Sequence, residues 1–253
     1  MAKRLRIDRD TRGCVTFWLD RADKRNALDE QFLDELHEAS LQASCDPDVR
    51  VVALRSSSSV FCAGADLNDW ANITPANAQR LSLLGSRAFQ AIADMPVPVI
   101  AALEGAALGG GLELALACDI RIGTPDCSIG LPEPRLGNSP AWGGMARLVE
   151  AVGKAYARNM LLTGDTINGS EAFRVGLLQR ISAREDFQQG FDALIASVLA
   201  CDSGALTYIK NLFGQPSQII AAQEAAIAGF TATRPESRDR KEAFLANRSG
   251  KSK

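Results

Sequence analysis

Two glutamates give the first sign of chemistry in this 253-residue chain. Glu113 follows Gly109-Gly110-Gly111-Leu112, and Glu133 lies in Leu131-Pro132-Glu133-Pro134-Arg135-Leu136-Gly137. Paired carboxyl groups move protons when their surroundings keep one acidic and the other basic. A third segment, Phe61-Cys62-Ala63-Gly64-Ala65-Asp66-Leu67, gathers small residues around backbone N–H groups. A pocket needs such a segment where an anionic oxygen must approach the main chain. Together the three point to an enolate-like oxygen held by amides while carboxyl groups transfer protons.

Each segment also has a purely structural reading. Three glycines at a helix start can offer amides and a positive dipole end to an anion, or simply make a tight turn. They are not followed by the Gly-Lys-Ser/Thr of a phosphate loop and lack the spacing of a dinucleotide fingerprint. Glu113 interrupts an apolar run over 106–117, so it is functional, solvent-facing or paired with a basic side chain. The prolines beside Glu133 place it on a stiff, non-helical stretch, which suits a fixed carboxylate and equally a surface loop.

The one histidine, His37, sits in a helix-patterned stretch without a cysteine or glycine-rich partner motif, which argues against a His-based triad or zinc site. Cys14, Cys45, Cys62, Cys118, Cys127 and Cys201 show no Cys-x-x-Cys spacing and read as buried thiols. No metal is expected. With 28 Lys+Arg against 30 Asp+Glu, the overall charge gives no reason to expect nucleic acid or an anionic membrane as partner. No apolar run reaches the roughly 20 residues of a membrane span, and the basic N-terminus leads into no apolar stretch, so a soluble cytoplasmic protein is expected.

The elements that must hold these groups alternate. β-formers over 14–19 predict a strand, and Phe32, Leu33, Leu36 and Ala39 at helical spacing predict a helix after Asp29. Asp46-Pro47-Asp48 ends it, and a short strand over 49–54 leads through serines 56–59 to the loop around Gly64. A second unit follows: a helix over 83–95, a buried strand over 96–102, then the glycine turn and a helix from Leu112. Prolines 96 and 98 put that strand at a sheet edge or mark its own start. Short strands over 119–123 and 128–131 precede a helix over 144–162. From about residue 183 strand signals stop, and helices are predicted over 187–199, 205–213, 219–230 and 235–245. An α/β core over 1–195 with a helical region over 196–253 is therefore expected, the latter capping the core or docking on another subunit, with a frayed tail over 249–253.

The combination resembles the enoyl-CoA hydratase/isomerase, or crotonase, superfamily. Lys24-Arg25-Asn26-Ala27-Leu28, the 61–67 segment, Glu104 through Ala115 and the 131–137 segment carry the likeness in family order, and Leu162-Thr163-Gly164, Glu171-Ala172 and Gly176-Leu177-Leu178 extend it over nearly the whole chain. The resemblance implies a spiral core of repeated ββα turns and a C-terminal helical region used in a homotrimer or dimer of trimers. It implies an acyl-CoA thioester as substrate, with CoA part of that substrate and no separate cofactor. The thioester oxygen would lie between the N–H groups of Ala65 and Gly110. Arg25 and Ala27, with Ala63, Asp66 and Leu67, would flank the CoA nucleotide and pantetheine arm, Lys24 or Arg25 reaching a phosphate unless both belong to a solvated basic loop.

Glu113 and Glu133 match the two glutamates of the hydratase branch, which adds water across the 2,3-double bond. On that pattern Glu113 activates water and Glu133 exchanges the C2 proton, unless the roles are exchanged or shared. An isomerase, decarboxylase or thioester hydrolase would use the same amides, and a non-catalytic acyl-CoA-binding protein would keep only the fold. One departure stands out. Asn138-Ser139-Pro140-Ala141-Trp142-Gly143-Gly144 replaces the Ile-Pro-Gly-Ala-Gly-Gly-like turn of many hydratases, so Trp142 either reshapes the acyl site or packs at a helix entrance.

Overall fold

The computed structural model describes residues 3–70 and 73–212. Strands β1 (Leu5–Arg9) and β2 (Cys14–Leu19) pair antiparallel and lead to helix α1 (Glu30–Cys45). Asp29 begins that helix because its carboxylate accepts the Phe32 N–H at 2.9 Å, satisfying one of the donors a helix leaves open at its start.

Three ββα turns follow. The first comprises β3 (Val51–Ser56), β4 (Val60–Cys62), the short α2 (Leu67–Trp70) and α3 (Pro75–Ala93). The second is β5 (Val99–Leu103), β6 (Ala106–Leu108) and α4 (Gly110–Leu116). The third is β7 (Ile120–Gly123), β8 (Ser128–Gly130), a 3-10 turn over Glu133–Leu136 and α5 (Gly144–Thr163). The first strand of each turn enters a six-stranded sheet and the second a four-stranded one, with order β1-β2-β3-β5-β7-β10 and β4-β6-β8-β9. The added strands are β9 (Thr166–Asn168) and β10 (Arg180–Ile181), with α6 (Gly169–Arg174) between them.

Period-two alternation explains the layering. Val52 and Leu54 of β3 point into the main core with Phe32, Leu36, Phe89 and Ile92 of α1 and α3, while Val51 and Ala53 point to the opposite face. There they meet Phe187, Phe191, Leu194 and Ile195 of α7 (Phe187–Leu199). Strand β5 lies between β3 and β7 and buries all five residues, which is why its sequence is continuously apolar. Pro96 and Pro98 precede its first ladder residue, so of the two positions open to it, the strand's start is the one adopted.

The structure corrects several expectations. Helix α3 starts at Pro75, eight residues before the apolar spacing begins, because its first turn is mostly exposed and is initiated instead by the Thr74 side chain capping the Asn77 N–H. Helix α5 is broken by Gly153, which leaves helical geometry at φ 76°. Glu133 opens a 3-10 turn and is not on a non-helical stretch. Cys45 and Cys201 are exposed, unlike the other four cysteines, because they close α1 and follow α7 at helix ends. The boundary expected at residue 195 falls inside α7, which packs on the sheet; α8 (Ser203–Leu212) follows, and the helices expected over 219–230 and 235–245 lie outside the described residues. Among the described residues, no single helix is long and apolar enough to cross a membrane.

Candidate active site

The smaller sheet brings the chemistry together. Strands β4, β6 and β8 run parallel with Cys62 opposite Ala107 and Leu108 opposite Gly130, so the three chain segments that leave their C-terminal ends emerge side by side. Those segments carry Ala65, Gly110 and Glu133. Gly64 turns the first of them at φ 101° and Gly109 the second at φ 53°, conformations that L side chains rarely adopt. The Ala65 nitrogen consequently lies 3.4 Å from where a side chain on Gly110 would begin.

Why these two amides stay open follows from the pairing around them. The loop over 25–28 runs beside the loop over 63–66, with Ala63 N–H donating to Arg25 O, Leu28 N–H to Gly64 O and Asp66 N–H to Leu28 O at 2.8–3.0 Å. That ladder skips Ala65. Gly110 begins α4 and has no earlier helical carbonyl to donate to. Within the described residues neither N–H has a hydrogen-bond acceptor. Unsatisfied amides at a cleft are ready to receive an oxygen with developing negative charge.

Glu113 lies in the first turn of α4, only 2% exposed. Its Oε1 accepts both the Trp142 N–H at 2.9 Å and the Gly144 N–H at 2.8 Å. Burial pushes its carboxyl above the usual range, and those amides oppose the shift without cancelling it. Glu133 is half-buried and its Oε2 has no hydrogen-bond partner among the described residues. Burial pushes its pKa up to about 7; a hydrogen bond from its own backbone opposes the rise, and the nearby charge of Glu113 adds a smaller push upward. A carboxyl group poised there can both give and take a proton at neutral pH.

A cleft of about 370 Å³ joins these groups. Ala63, Ala65, Leu67, Gly110, Glu113, Glu133 and Trp142 all line it, whereas Arg25, Ala27 and Asp66 do not. Arg25 and Lys24 are exposed on the neighbouring loop. The Asp66 carboxylate is held by Arg21 at 2.9 Å and by Asn68, so any contact it offers a ligand comes through its backbone. His37 is half-buried on α1 and does not line the cleft.

Trp142 packs before the start of α5 and also lines the cleft. It is nonetheless 2% exposed, its indole N–H donating to Leu81 O at 3.2 Å and its ring standing edge-on to Phe89 with centroids 5.5 Å apart. Two residues escaped sequence reading. Asn26, fully buried at φ 55°, accepts from Arg21 N–H and donates to Ser56 Oγ, Val60 O and Phe61 O, tying the 21–28 loop to the end of β4. Trp70 on α2 faces the cleft beside Trp142. Asn26 stood within the motif, but no local spacing shows that its amide reaches a strand more than 30 residues away.

The fold is that of the crotonase superfamily. It superposes on a crystal structure of enoyl-CoA hydratase from Bacillus anthracis with TM-score 0.92 and 27% identity, covering 97% of each chain, and on an enoyl-CoA hydratase from Geobacillus kaustophilus with TM-score 0.91 and 29% identity over 98% of this chain and 95% of that one. The family model for enoyl-CoA hydratase/isomerase matches residues 10–245, and the chain belongs to that family. Among curated relatives, the probable enoyl-CoA hydratase echA8 of Mycobacterium tuberculosis is 38% identical over 206 residues, 81% of this chain and 79% of the relative. The crotonyl-CoA hydratase of Syntrophomonas wolfei is 38% identical over 173 residues, 68% of this chain and 66% of the relative.

Proposed function

We propose that the protein adds water reversibly across the 2,3-double bond of an enoyl-CoA thioester. The observation that carries this reading is the convergence on one cleft of two amides without an acceptor among the described residues and two carboxyl groups with raised pKa values. In it, Ala65 and Gly110 bind the thioester oxygen, more strongly as it gains enolate charge. Glu113 takes a proton from water as the oxygen attacks C3, and Glu133 delivers a proton to C2. The CoA arm runs over the loops carrying Arg25, Ala27, Ala63, Asp66 and Leu67, and no separate cofactor takes part. Loss of the conjugated thioester absorbance on adding protein to crotonyl-CoA tests the reading, and no loss at any enoyl chain length rejects it.

A second reading rests on the two amides that hold Glu113. If that carboxylate serves only to fix the turn before α5, Glu133 alone shuttles a proton between C2 and C4, which isomerises a double bond without adding water. A 3-enoyl-CoA substrate then gains conjugated absorbance, while hydration of the 2-enoyl compound stays at background.

Hydration also has an expected pH signature. Because delivery to C2 needs protonated Glu133, kcat/KM for hydration falls as pH rises through about 7, and because the overall reaction takes up no net proton, kcat/KM for the reverse dehydration falls in parallel. The Glu133→Gln protein lacks this limb. An unchanged limb in that variant assigns the titration elsewhere.

We also propose assembly as a trimer or dimer of trimers, supported by family membership. Light scattering is expected to give the mass of three or six chains; a fully active monomer counts against it.

A further inference from the structure

The space behind the two amides is filled by one side chain. A Cβ built on Gly85 of α3 would overlap Nε1 of Trp142, and one built on Gly110 of α4 would overlap Cζ3 at the opposite side of the same ring. The indole thus spans the gap between two helix backbones, and both helices carry glycine where it touches them. Its attachments leave it little freedom: the peptide N–H goes to Glu113, the carbonyl accepts from Arg147 at 3.1 Å, and the indole N–H goes to Leu81 O. Phe89 stands edge-on against the ring.

The walls near this ring differ from it in size. Ala78, Ser82 and Ala141 line the cleft beside it, with Trp70 6.5 Å away between ring centroids. Ser82 keeps its hydroxyl on Ala141 O at 2.8 Å, which holds α3 against the turn that carries Trp142. Small side chains therefore line the cleft next to the indole, which is itself part of the lining.

We propose that Trp142 is the back wall of the acyl subsite and restricts this chain to short acyl groups. The inference rests on the acyl-CoA reading of the cleft but does not depend on which reaction follows. Shortening the side chain leaves the Trp142 peptide, and therefore its bond to Glu113, in place while opening apolar space beneath Gly110. An acyl chain too long for the native cleft can then extend into that space, each methylene seated there being worth roughly fourfold in affinity.

Calorimetric titration with butanoyl-, octanoyl- and dodecanoyl-CoA tests this on wild-type protein and on Trp142→Phe, Trp142→Leu and Trp142→Ala, each first shown to be folded by its melting transition. Saturated thioesters keep binding separate from turnover. Wild type is expected to bind butanoyl-CoA most tightly, and the ratio of octanoyl to butanoyl affinity to rise on the order of 10- to 100-fold in the Leu variant, with Phe intermediate. Should the Ala variant fail to fold, the Phe and Leu steps still give the trend. Equal affinities across the ladder in wild type, or a ratio that does not move in the folded variants, overturns the back-wall assignment while leaving the acyl-CoA reading intact. Absence of binding by every thioester to wild type removes the acyl-CoA reading itself.

Discussion

Glu133→Gln is expected to lower hydration turnover by about 100- to 10,000-fold with acyl-CoA affinity changed little, since the variant keeps the side chain's size and loses its proton. Glu113→Gln belongs to the same range for a reason visible in its bonds. Both amides that hold Glu113 donate to one oxygen, Oε1, so the carbonyl of a glutamine can accept both and keep the turn before α5 in place. Glu113→Leu removes that acceptor and leaves two buried N–H groups unpaired, each costing about 1–3 kcal/mol. Loss of turnover in the Gln variant with a melting temperature no lower than wild type, set against loss of both in the Leu variant, separates proton transfer from support of the turn. Near-normal hydration by either Gln variant would sink the paired-carboxylate mechanism.

Gly110→Ala is expected to cost about 100- to 1,000-fold in kcat through the backbone alone. The added Cβ would overlap the Trp142 ring, so either the ring or the start of α4 must move, and α4 carries the Gly110 N–H. The same substitution overpacks a buried contact and is expected to destabilise the fold by about 1–3 kcal/mol. Adding Trp142→Leu to Gly110→Ala makes room for the methyl group and is expected to recover part of both losses, a coupling that a double-mutant cycle measures directly. Simple additivity of the two substitutions would mean that the ring does not brace the amide.

Much of this architecture was legible because the long elements carry their own period. Residues 14–19 form the predicted strand, and Asp29 caps α1 where a helix start was expected. The short strands β4, β6 and β9 were not legible, since three residues are too few to show alternation and their partners lie tens of residues away. Strand β1 hid for another reason: it is an edge strand with four of its five residues exposed, and its start was read only as a basic N-terminus that leads into no apolar stretch. At the site, the glutamates drew attention through local cost and stiffness, whereas the pairing of Ala65 with Gly110 came from family pattern. Their adjacency depends on β4 lying beside β6, and the glycine at 85 gains meaning only from a tryptophan 57 positions later.

The Oε2 of Glu133, without a hydrogen-bond partner among the described residues, carries a liability for folding as well as an opportunity for chemistry. A carboxyl group that titrates near 4.5 in the unfolded chain and at about 7 in the folded one binds its proton more tightly when native. Below 4.5 it is neutral in both states and imposes no penalty. As pH rises from there through 7, the folded state must either hold a proton the solvent no longer supplies or bury a charge, so its advantage over the unfolded chain shrinks. Glutamine has no such titration. The Glu133→Gln protein should therefore melt above wild type at pH 8 and close to it at pH 4, which makes an inactive variant the more heat-resistant one. Parallel melting curves for the two proteins across that range would show that the carboxyl group sits in its pocket without thermodynamic cost.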